Sequence, residues 1–480
     1  MSPINSISAD LGIDIAALKG VTQDSRLVEK DYLFAAFKGD VVDGRDYIPD
    51  ALKRGASIIL SDQSITLDDE RIIKTQNPRE KFAHITAEFY AHKQPETLMA
   101  VTGTNGKSSV VHFTQQLWDA LGKKSESIGT LSGAMTTPDP VALHEILARM
   151  DDDGVTHVAM EASSHGLNQN RMDGVGVSVA AFTSFSQDHL DYHADMDAYL
   201  AAKARLFSDL LDENGTAVLN ADIPEYKILA DICTKRGVKV LSYGKQGEGV
   251  QIQSLNVEGL SQRVALNILG YDYNVTMPLV GAFQVMNALC ALSCVLAETP
   301  DDAQKLVSAL ETLEPVTGRL QNVASDDGRY NAYIDYAHTP DALENVLNAL
   351  REHTKGRLIC VFGCGGDRDA AKRPMMGEVA SRLSDVAMIT NDNPRSESPD
   401  SIRAEILGGM QRASSEIHNI GGRAEAIQCA INIMEPNDLV LIAGKGHEQG
   451  QIFKNETLPF DDVAHAKCAL DVIASSKTTT

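Results

Sequence analysis

The chain has 480 residues, 43% hydrophobic and 23% charged, with a formal net charge of −23 and a pI near 4.9. That balance excludes broad binding to nucleic acid or to anionic membranes, both of which need a basic face; anionic small ligands remain open to local loops and a few Arg side chains. At about 100–200 residues per domain, two to four domains are expected, each able to bury its own core.

No run of 18 apolar residues occurs, so no membrane-spanning helix is expected, and the first twenty residues carry no apolar stretch of signal-peptide type. The seven cysteines are scattered, without a CxxC pair. The expectation is a reduced, cytoplasmic protein without structural zinc.

The first segment, 1–96, has short apolar runs at 32–37 and 56–60 between Gly and Asp turns, which predicts a small α/β domain. A polar stretch at 92–96, HKQPE, closes it. The second segment, 97–315, opens with a strand at 98–101, a Gly-containing turn and a helix. Further buried-type strands are read at 155–160, 177–182 and 216–219. The third, 316–480, repeats the alternation, with strands at 332–336, 358–362, 386–390 and 439–443 and a helix over 341–353. Strand, loop and helix in alternation predict an α/β protein of three domains. A central phosphate-loop, doubly wound parallel sheet is joined by a C-terminal Rossmann-like domain and the small N-terminal one. Ligands then sit at the strand C-termini.

The strongest local signal is TGTNGKSS at 102–109, between a strand and a helix. Gly103 and Gly106 let the backbone wrap a phosphate, Lys107 reaches the β/γ-phosphates, and the Ser108 hydroxyl suits Mg²⁺. The loop is shorter than GxxxxGK[ST], since Val101 stands where that form begins with Gly. Alone it says only that a nucleoside triphosphate binds; a turn with an exposed Lys is the bland alternative.

Glu161, in MEASSHG, follows a buried strand and emerges at the same sheet edge. A carboxylate there either holds Mg²⁺ or caps the next turn. His189 and His193, in QDHLDYH, are spaced i, i+4. With no HExxH and no Cys near, Mg²⁺ and water ordering suit them better than zinc. Lys203 lies in a helical pattern whose periodicity reads it as a surface residue. The run GCGG at 363–366 hints at a dinucleotide loop, but Arg368 occupies the last Gly position of GxGxxG.

TGTNGKSS, MEASSHGL, SQDHLDYH, the helix with Lys203, YAHTPD, DNPR and GKGHE follow one another in this order. Together they resemble the Mur ligase family over nearly the whole chain; DNPR and GKGHE point to the members that add the third residue, meso-2,6-diaminopimelate, to UDP-N-acetylmuramoyl-L-alanyl-D-glutamate. The resemblance implies a cytoplasmic, monomeric, ATP- and Mg²⁺-dependent ligase of peptidoglycan precursor synthesis. It works through an acyl phosphate on the substrate carboxylate, which an amine then attacks. Lys107, His189 and Lys203 match catalytic positions. Gly103, Thr104, Asn105, Gly106, Lys107, Ser108, Ser109, Asn287, Arg319, Asp335 and His338 match ATP contacts.

Ser108, Glu161 and His189 match Mg²⁺ positions, and Lys203 matches a lysine carried as a carbamate, also metal-binding. Ser25, Asp40, Val41, Val42, Thr136, Thr137, Ser163, Gln169 and Arg171 match the UDP-sugar-peptide site. Met135 stands where some relatives have Asn, Ser108 where Thr is commoner, and Gln449-Gly450 where Asp-Tyr is frequent.

For the acceptor, the matching positions are Arg368, Asp392, Asn393, Pro394, Arg395, Gly444 and Glu448. Diaminopimelate differs from lysine by one far-end carboxylate, so its site needs a cation there. Arg395 offers a planar fork to that carboxylate, and Asp392 an acceptor for the distal ammonium. Such a charge-assisted pair is worth roughly 1.5–3 kcal/mol. The bland partners are Glu397 for Arg395 and Asp369 for Arg368. Ser398 and Pro399 read as the cap and first residue of a helix. The rivals are a lysine-adding or folylpolyglutamate-type ligase and a small-molecule kinase or phosphate-loop NTPase.

Overall fold

Three largely parallel sheets carry the chain in the computed structural model, which describes residues 6–39, 42–131, 135–189, 192–410 and 415–476. The first sheet holds β1 (Gly20–Thr22), β2 (Tyr32–Ala36), β3 (Ile58–Asp62) and β4 (Ile72–Thr75) in sequential order, all parallel. Both faces of it are covered. Leu33 and Ala35 pack on one side with Phe82 and Ile85 of the helix Pro78–Phe89; Phe34 and Ala36 pack on the other with Ile48 and Ala51. Alternating side chains of one strand thus enter two separate cores, and the strand reads as a continuous apolar run.

The central sheet contains β5 (Thr97–Thr102), β6 (Ser125–Ile128), β7 (His157–Glu161), β8 (Val177–Phe182), β9 (Leu211–Asn220), β10 (Lys239–Gly244), β11 (Val250–Glu258), β12 (Ser261–Ile268) and β13 (Tyr271–Met277). Their order is β13-β12-β11-β10-β9-β8-β5-β7-β6. From β6 through to β11 the pairing is parallel. The chain leaves β5 towards β6 and β7, then crosses to β8 on the other side. Its winding reverses at β5, and the crevice at the C-terminal end of β5 is where such a sheet accepts a ligand. Leu98 to Val101 are fully buried, as a strand with both faces covered must be.

The last sheet holds β14 (Gln321–Ala324), β15 (Asn331–Asp335), β16 (Leu358–Phe362), β17 (Val386–Ile389), β18 (Glu416–Asn419) and β19 (Leu439–Ala443), in the order β14-β15-β19-β16-β17-β18. Only β14 runs antiparallel. Leu358, Cys360 and Phe362 face one core while Ile359 and Val361 face the other. A short hairpin, β20 (Gly450–Ile452) and β21 (Thr457–Pro459), follows β19. The fold is therefore α/β with three domains, as read from the alternation.

By contacts the chain forms two compact units. One comprises Met1–Gln253, Leu266–Tyr273 and Asn287–Ala309; the other comprises Ser254–Ala265, Asn274–Met286 and Leu310–Thr480.

The predicted strands all occur, with ends shifted by a few residues. The strands β11 to β13 were not anticipated: β12 alternates buried and half-exposed residues, a pattern weaker than the apolar runs of the core. Ser398 and Pro399 do open a helix, Pro399–Gly408, but the Ser398 side chain makes no capping bond. Among the described residues no helix is long and apolar enough to cross a membrane, and all seven cysteines are free.

At the N-terminal ends of β5 and β7, Glu298 lies 3.7 Å from His157. Burial drives both towards their neutral forms, lowering the His157 pKa and lifting the Glu298 carboxyl to about 7. The folded state thus holds the Glu298 proton more tightly than the unfolded chain does. That contribution is full below pH 4.5 and is lost as pH rises through 7. Glu298→Gln removes the loss, so its melting temperature relative to the parent should climb between pH 5 and pH 8, reflecting up to about 3 kcal/mol. A pH-independent difference would contradict this.

Candidate active site

The loop after β5 leads into the helix Lys107–Ala120, whose N-cap, Gly106, lies at φ 90° and offers no side-chain cap. The first amides of that helix therefore lack an internal acceptor, the condition for holding an anion. Glycine is required twice here. A Cβ on Gly103 would come within 1.9 Å of Thr183 Oγ1, and one on Gly106 within 2.4 Å of Asn287 Oδ1. Asn287 thus packs on the loop. Thr104 N–H and Asn105 N–H donate to Ser184, leaving the helix end as the freer set of donors. Ser109 is buried on the helix's inner face.

Lys107 is half-buried rather than exposed, and its Nζ donates to Gly103 O (3.0 Å) and Thr104 O (2.9 Å). Lys203 is not a surface residue. It is 1% exposed, lies 4.4 Å from the Tyr199 ring, and donates to the same Gly103 O at 2.8 Å. Burial, reinforced by the Lys107 charge, holds its pKa well below the usual lysine range. Directly after Lys203 the helix Met196–Arg205 widens into a π-type turn, Leu206–Leu210.

Glu161, at the end of β7, is 2% exposed. Its Oε1 accepts from Ser108 Oγ (2.9 Å) and from Thr130 N–H (2.9 Å). A Cβ at Gly129 would lie 2.3 Å from that oxygen. Glu161 thus ties down the turn after β6 and pairs with the phosphate-loop hydroxyl. A hydroxyl and a carboxylate oxygen side by side at the end of a phosphate loop are the hard oxygen donors that Mg²⁺ takes. His189 is exposed, at φ 53°, its ring 4.8 Å from that of His165. Among the described residues no three His, Cys, Asp or Glu side chains gather as a metal site.

The Glu161 strand end also organises the residues matched to the sugar-peptide. Thr137 Oγ1 donates to Glu161 O (2.9 Å) and meets Ser163 Oγ at 3.0 Å; Thr136 meets Thr130 at 3.0 Å. Arg171 donates to Thr137 O (2.8 Å) and to Gln169 Oε1 (2.7 Å). Gln169, Arg171 and Met135 line a cleft with Gln23, Phe37, Arg79, Asp139 and Pro140. Those last five escaped the sequence reading, although Arg79, stacked 4.9 Å from the Phe37 ring, adds a second cation. Ser25 is half-buried in the turn Ser25–Leu27, and Val42 is 55% exposed. Asp40 and Val41 lie outside the described residues.

In the second unit, Asp335 ends β15, 7% exposed, and accepts from Leu320 N–H (2.8 Å) and Ala337 N–H (2.7 Å). It thereby holds the turn carrying Arg319, whose guanidinium lies 4.5 Å from the Tyr336 ring. His338 is exposed, with Nδ1 2.9 Å from Tyr336 O.

The loops after β16, β17 and β19 meet beside it. Asn393 Nδ2 donates to Glu448 Oε2 (2.8 Å), and its Oδ1 accepts from Lys445 Nζ (2.8 Å). Asp392 is 8% exposed, and a Cβ on Gly444 would lie 2.7 Å from its Oδ2. Pro394 packs on Gly366, where a Cβ would come 2.0 Å from Pro394 O. The glycines of 363–366 therefore serve close loop packing, not a dinucleotide.

Neither bland pairing forms. Glu397 is taken by Arg373 (2.9 Å), and Asp369 accepts from Ala371 N–H. Arg395 donates to Gly366 O (2.8 Å) and Arg368 to Asp367 O (3.1 Å), and neither makes an ion pair among the described residues. Arg395 sits at φ 51°, a conformation that costs a non-glycine residue about 1–3 kcal/mol. Lys445 and Arg423, both with fully buried side chains, were not anticipated; nothing local in the sequence marks a Lys or an Arg as buried.

Three family profiles match the chain: "Mur ligase family, catalytic domain" at 17–92, "Mur ligase middle domain" at 101–295 and "Mur ligase, glutamate ligase domain" at 318–446. The chain is 45% identical to the UDP-N-acetylmuramoyl-L-alanyl-D-glutamate–2,6-diaminopimelate ligase of Brucella melitensis biotype 1, over 94% of each chain. It is likewise 45% identical to the Caulobacter vibrioides ligase of the same name, over 95% of this chain and 96% of the other. A solved structure of a ligase of that name superposes with a TM-score of 0.73 at 32% identity, covering 97% of this chain and 99% of the other. The chain belongs to the Mur ligase family.

Proposed function

We propose that this enzyme, an ATP-dependent ligase by family, joins meso-2,6-diaminopimelate to UDP-N-acetylmuramoyl-L-alanyl-D-glutamate in peptidoglycan precursor synthesis, releasing ADP and phosphate. The observation that carries the choice of acceptor is the pair of guanidinium groups at 368 and 395, both free of ion pairs among the described residues. A dicarboxylic amino acid supplies what they lack; lysine does not.

In mechanism, the terminal carboxylate of the peptide attacks the γ-phosphoryl group of ATP, the bond to the β-phosphate oxygen breaks, and ADP departs. The acceptor amine then attacks the acyl phosphate carbon, losing a proton as phosphate leaves. Lys107 and the amides of the helix beginning at Lys107 neutralise the phosphates, and Asn287 braces their loop. Ser108 and Glu161 would hold Mg²⁺, with His189 and a Lys203 carbamate proposed as further ligands; the ion supplies charge neutralisation for phosphoryl transfer. The depressed Lys203 pKa favours the neutral amine that reacts with CO₂.

Arg319, Asp335 and His338 are assigned as nucleotide contacts of the second unit. Ser25, Asp40, Val41, Val42, Thr136, Thr137, Ser163, Gln169 and Arg171 are assigned to the sugar-peptide. Asp392, Asn393, Pro394, Gly444 and Glu448 complete the acceptor pocket. The divisions 1–96, 97–315 and 316–480 are proposed as the corresponding domains, in a cytoplasmic monomer.

Mass spectrometry of reactions containing the UDP-dipeptide, ATP and equal diaminopimelate and lysine should show the diaminopimelate product in large excess; a lysine product in the majority overturns the assignment. Arg395→Ala should raise the KM for diaminopimelate by about ten- to a hundredfold with little change for ATP, the loss of one charge-assisted pair. Lys203→Ala should lose nearly all activity and regain part of it with added short carboxylates. An active Lys203→Ala, needing no supplement, would remove the carbamate from the mechanism.

A further inference from the structure

Arg423 occupies a costly place. It opens the helix Arg423–Asn432, where the helix dipole disfavours a cation, and its side chain is fully buried. Asp462, equally buried, grips two of its nitrogens: Nε donates to Oδ1 (2.7 Å) and Nη2 to Oδ2 (2.6 Å). If holding two helices together were the whole purpose, an apolar pair of similar volume would do as well.

The third nitrogen points elsewhere. Arg423 Nη1 is buried without a hydrogen-bond partner, and it lies 3.8 Å from Asp392 Oδ2. That oxygen is also buried and without a hydrogen-bond partner, while Asp392 Oδ1 is held by Asn393 N–H at 2.7 Å. Gly444, at φ 116°, lets the backbone lie close against Oδ2. A Cβ there would stand 2.7 Å from Oδ2, with Gly363 O the next residue met, at 3.8 Å. A carboxylate oxygen and a carbonyl oxygen side by side are acceptors that suit an ammonium group.

We propose that Arg423, locked by Asp462, is a positioning residue for the amino-acid acceptor, acting through Asp392. This rests on the diaminopimelate reading above. Arg423 draws Oδ2 into one orientation from a distance too long to satisfy it, so the oxygen keeps its capacity for the substrate's distal ammonium. Asp462 balances the Arg423 charge, so the Asp392 charge remains available to the substrate. Neither residue touches the substrate.

The test compares two acceptors. Arg423→Met alone strands Asp462 in the core, so the double variant Arg423→Met/Asp462→Leu is made as well, and melting curves establish that it folds. Each is assayed with meso-diaminopimelate and with 2-aminopimelate, which keeps the far carboxylate but lacks the distal amine.

The folded variant should raise the KM for diaminopimelate about tenfold, with kcat and the KM for ATP within about twofold, and should leave the KM for 2-aminopimelate unchanged. Equal rises for both acceptors indicate a general distortion of the pocket and overturn the proposal, as does an unchanged KM for diaminopimelate. A parent enzyme that prefers lysine overturns the underlying reading, and this inference with it.

Discussion

Two lysine ammonium groups converge on one peptide oxygen. Lys107 and Lys203 both donate to Gly103 O, at 3.0 and 2.8 Å, so their nitrogens cannot stand more than about 6 Å apart. Two positive charges at that separation repel by about 3 kcal/mol at an effective dielectric of 20, before the cost of burial is added. The conflict is relieved at the more buried partner, and Lys203 moves towards its neutral form. Lys107, half-exposed at the helix N-terminus, stays available to a polyanion. The phosphate loop therefore carries one cation for substrate and one nucleophilic amine behind it. That distinction follows from the deeper burial of Lys203, with the Lys107 charge adding to it.

The candidate site gathers loops at strand ends, and its backbone is strained there. Of the non-glycine residues with positive φ, His189, Leu320, Asp367 and Arg395 all fall on loops that follow β8, the turn before β14, β16 and β17. Each conformation is held by local bonds. Asp335 fixes Leu320, and Ser396 and Arg395 bond across to the loop at 366–367. Strain of this kind persists only where neighbours over-determine it, and it aims a side chain that relaxed backbone would turn away.

Much of this was legible in the sequence, for an identifiable reason. Leu98 to Val101 and 358–362 are apolar without interruption, and 177–182 but for Ser178, because both their faces are covered, and the loops after them carry the motifs. What could not be read lies in pairings across long stretches of chain. Arg423 and Asp462 are 39 positions apart, and Lys445 and Asn393 are 52 apart. Taken singly, each is an ordinary polar residue. Lys203 was misread because its helix buries Tyr199, Ala202, Lys203 and Ala204 on one side, a set too mixed in polarity to mark an inner face. Ser398 occupies a cap position without capping, a detail of side-chain geometry that residue type cannot supply.

The two halves of the chemistry place different demands on the protein. A triphosphate is recognised by backbone amides and one lysine, and any short Gly-rich loop before a helix provides these; the loop says little about what is made. An amino acid with two ammonium and two carboxylate groups demands separate charges at set positions. The proposed acceptor pocket has side chains whose own charges are held by buried partners: Lys445 beneath Asn393 and Glu448, Arg423 beside Asp392, and Arg373 holding Glu397, which leaves Arg395 without it. The last of these is a device against self-neutralisation. Glu397 paired with Arg395 would remove the cation proposed to separate diaminopimelate from lysine. Specificity in this pocket thus depends as much on the pairings that are prevented as on those that are made.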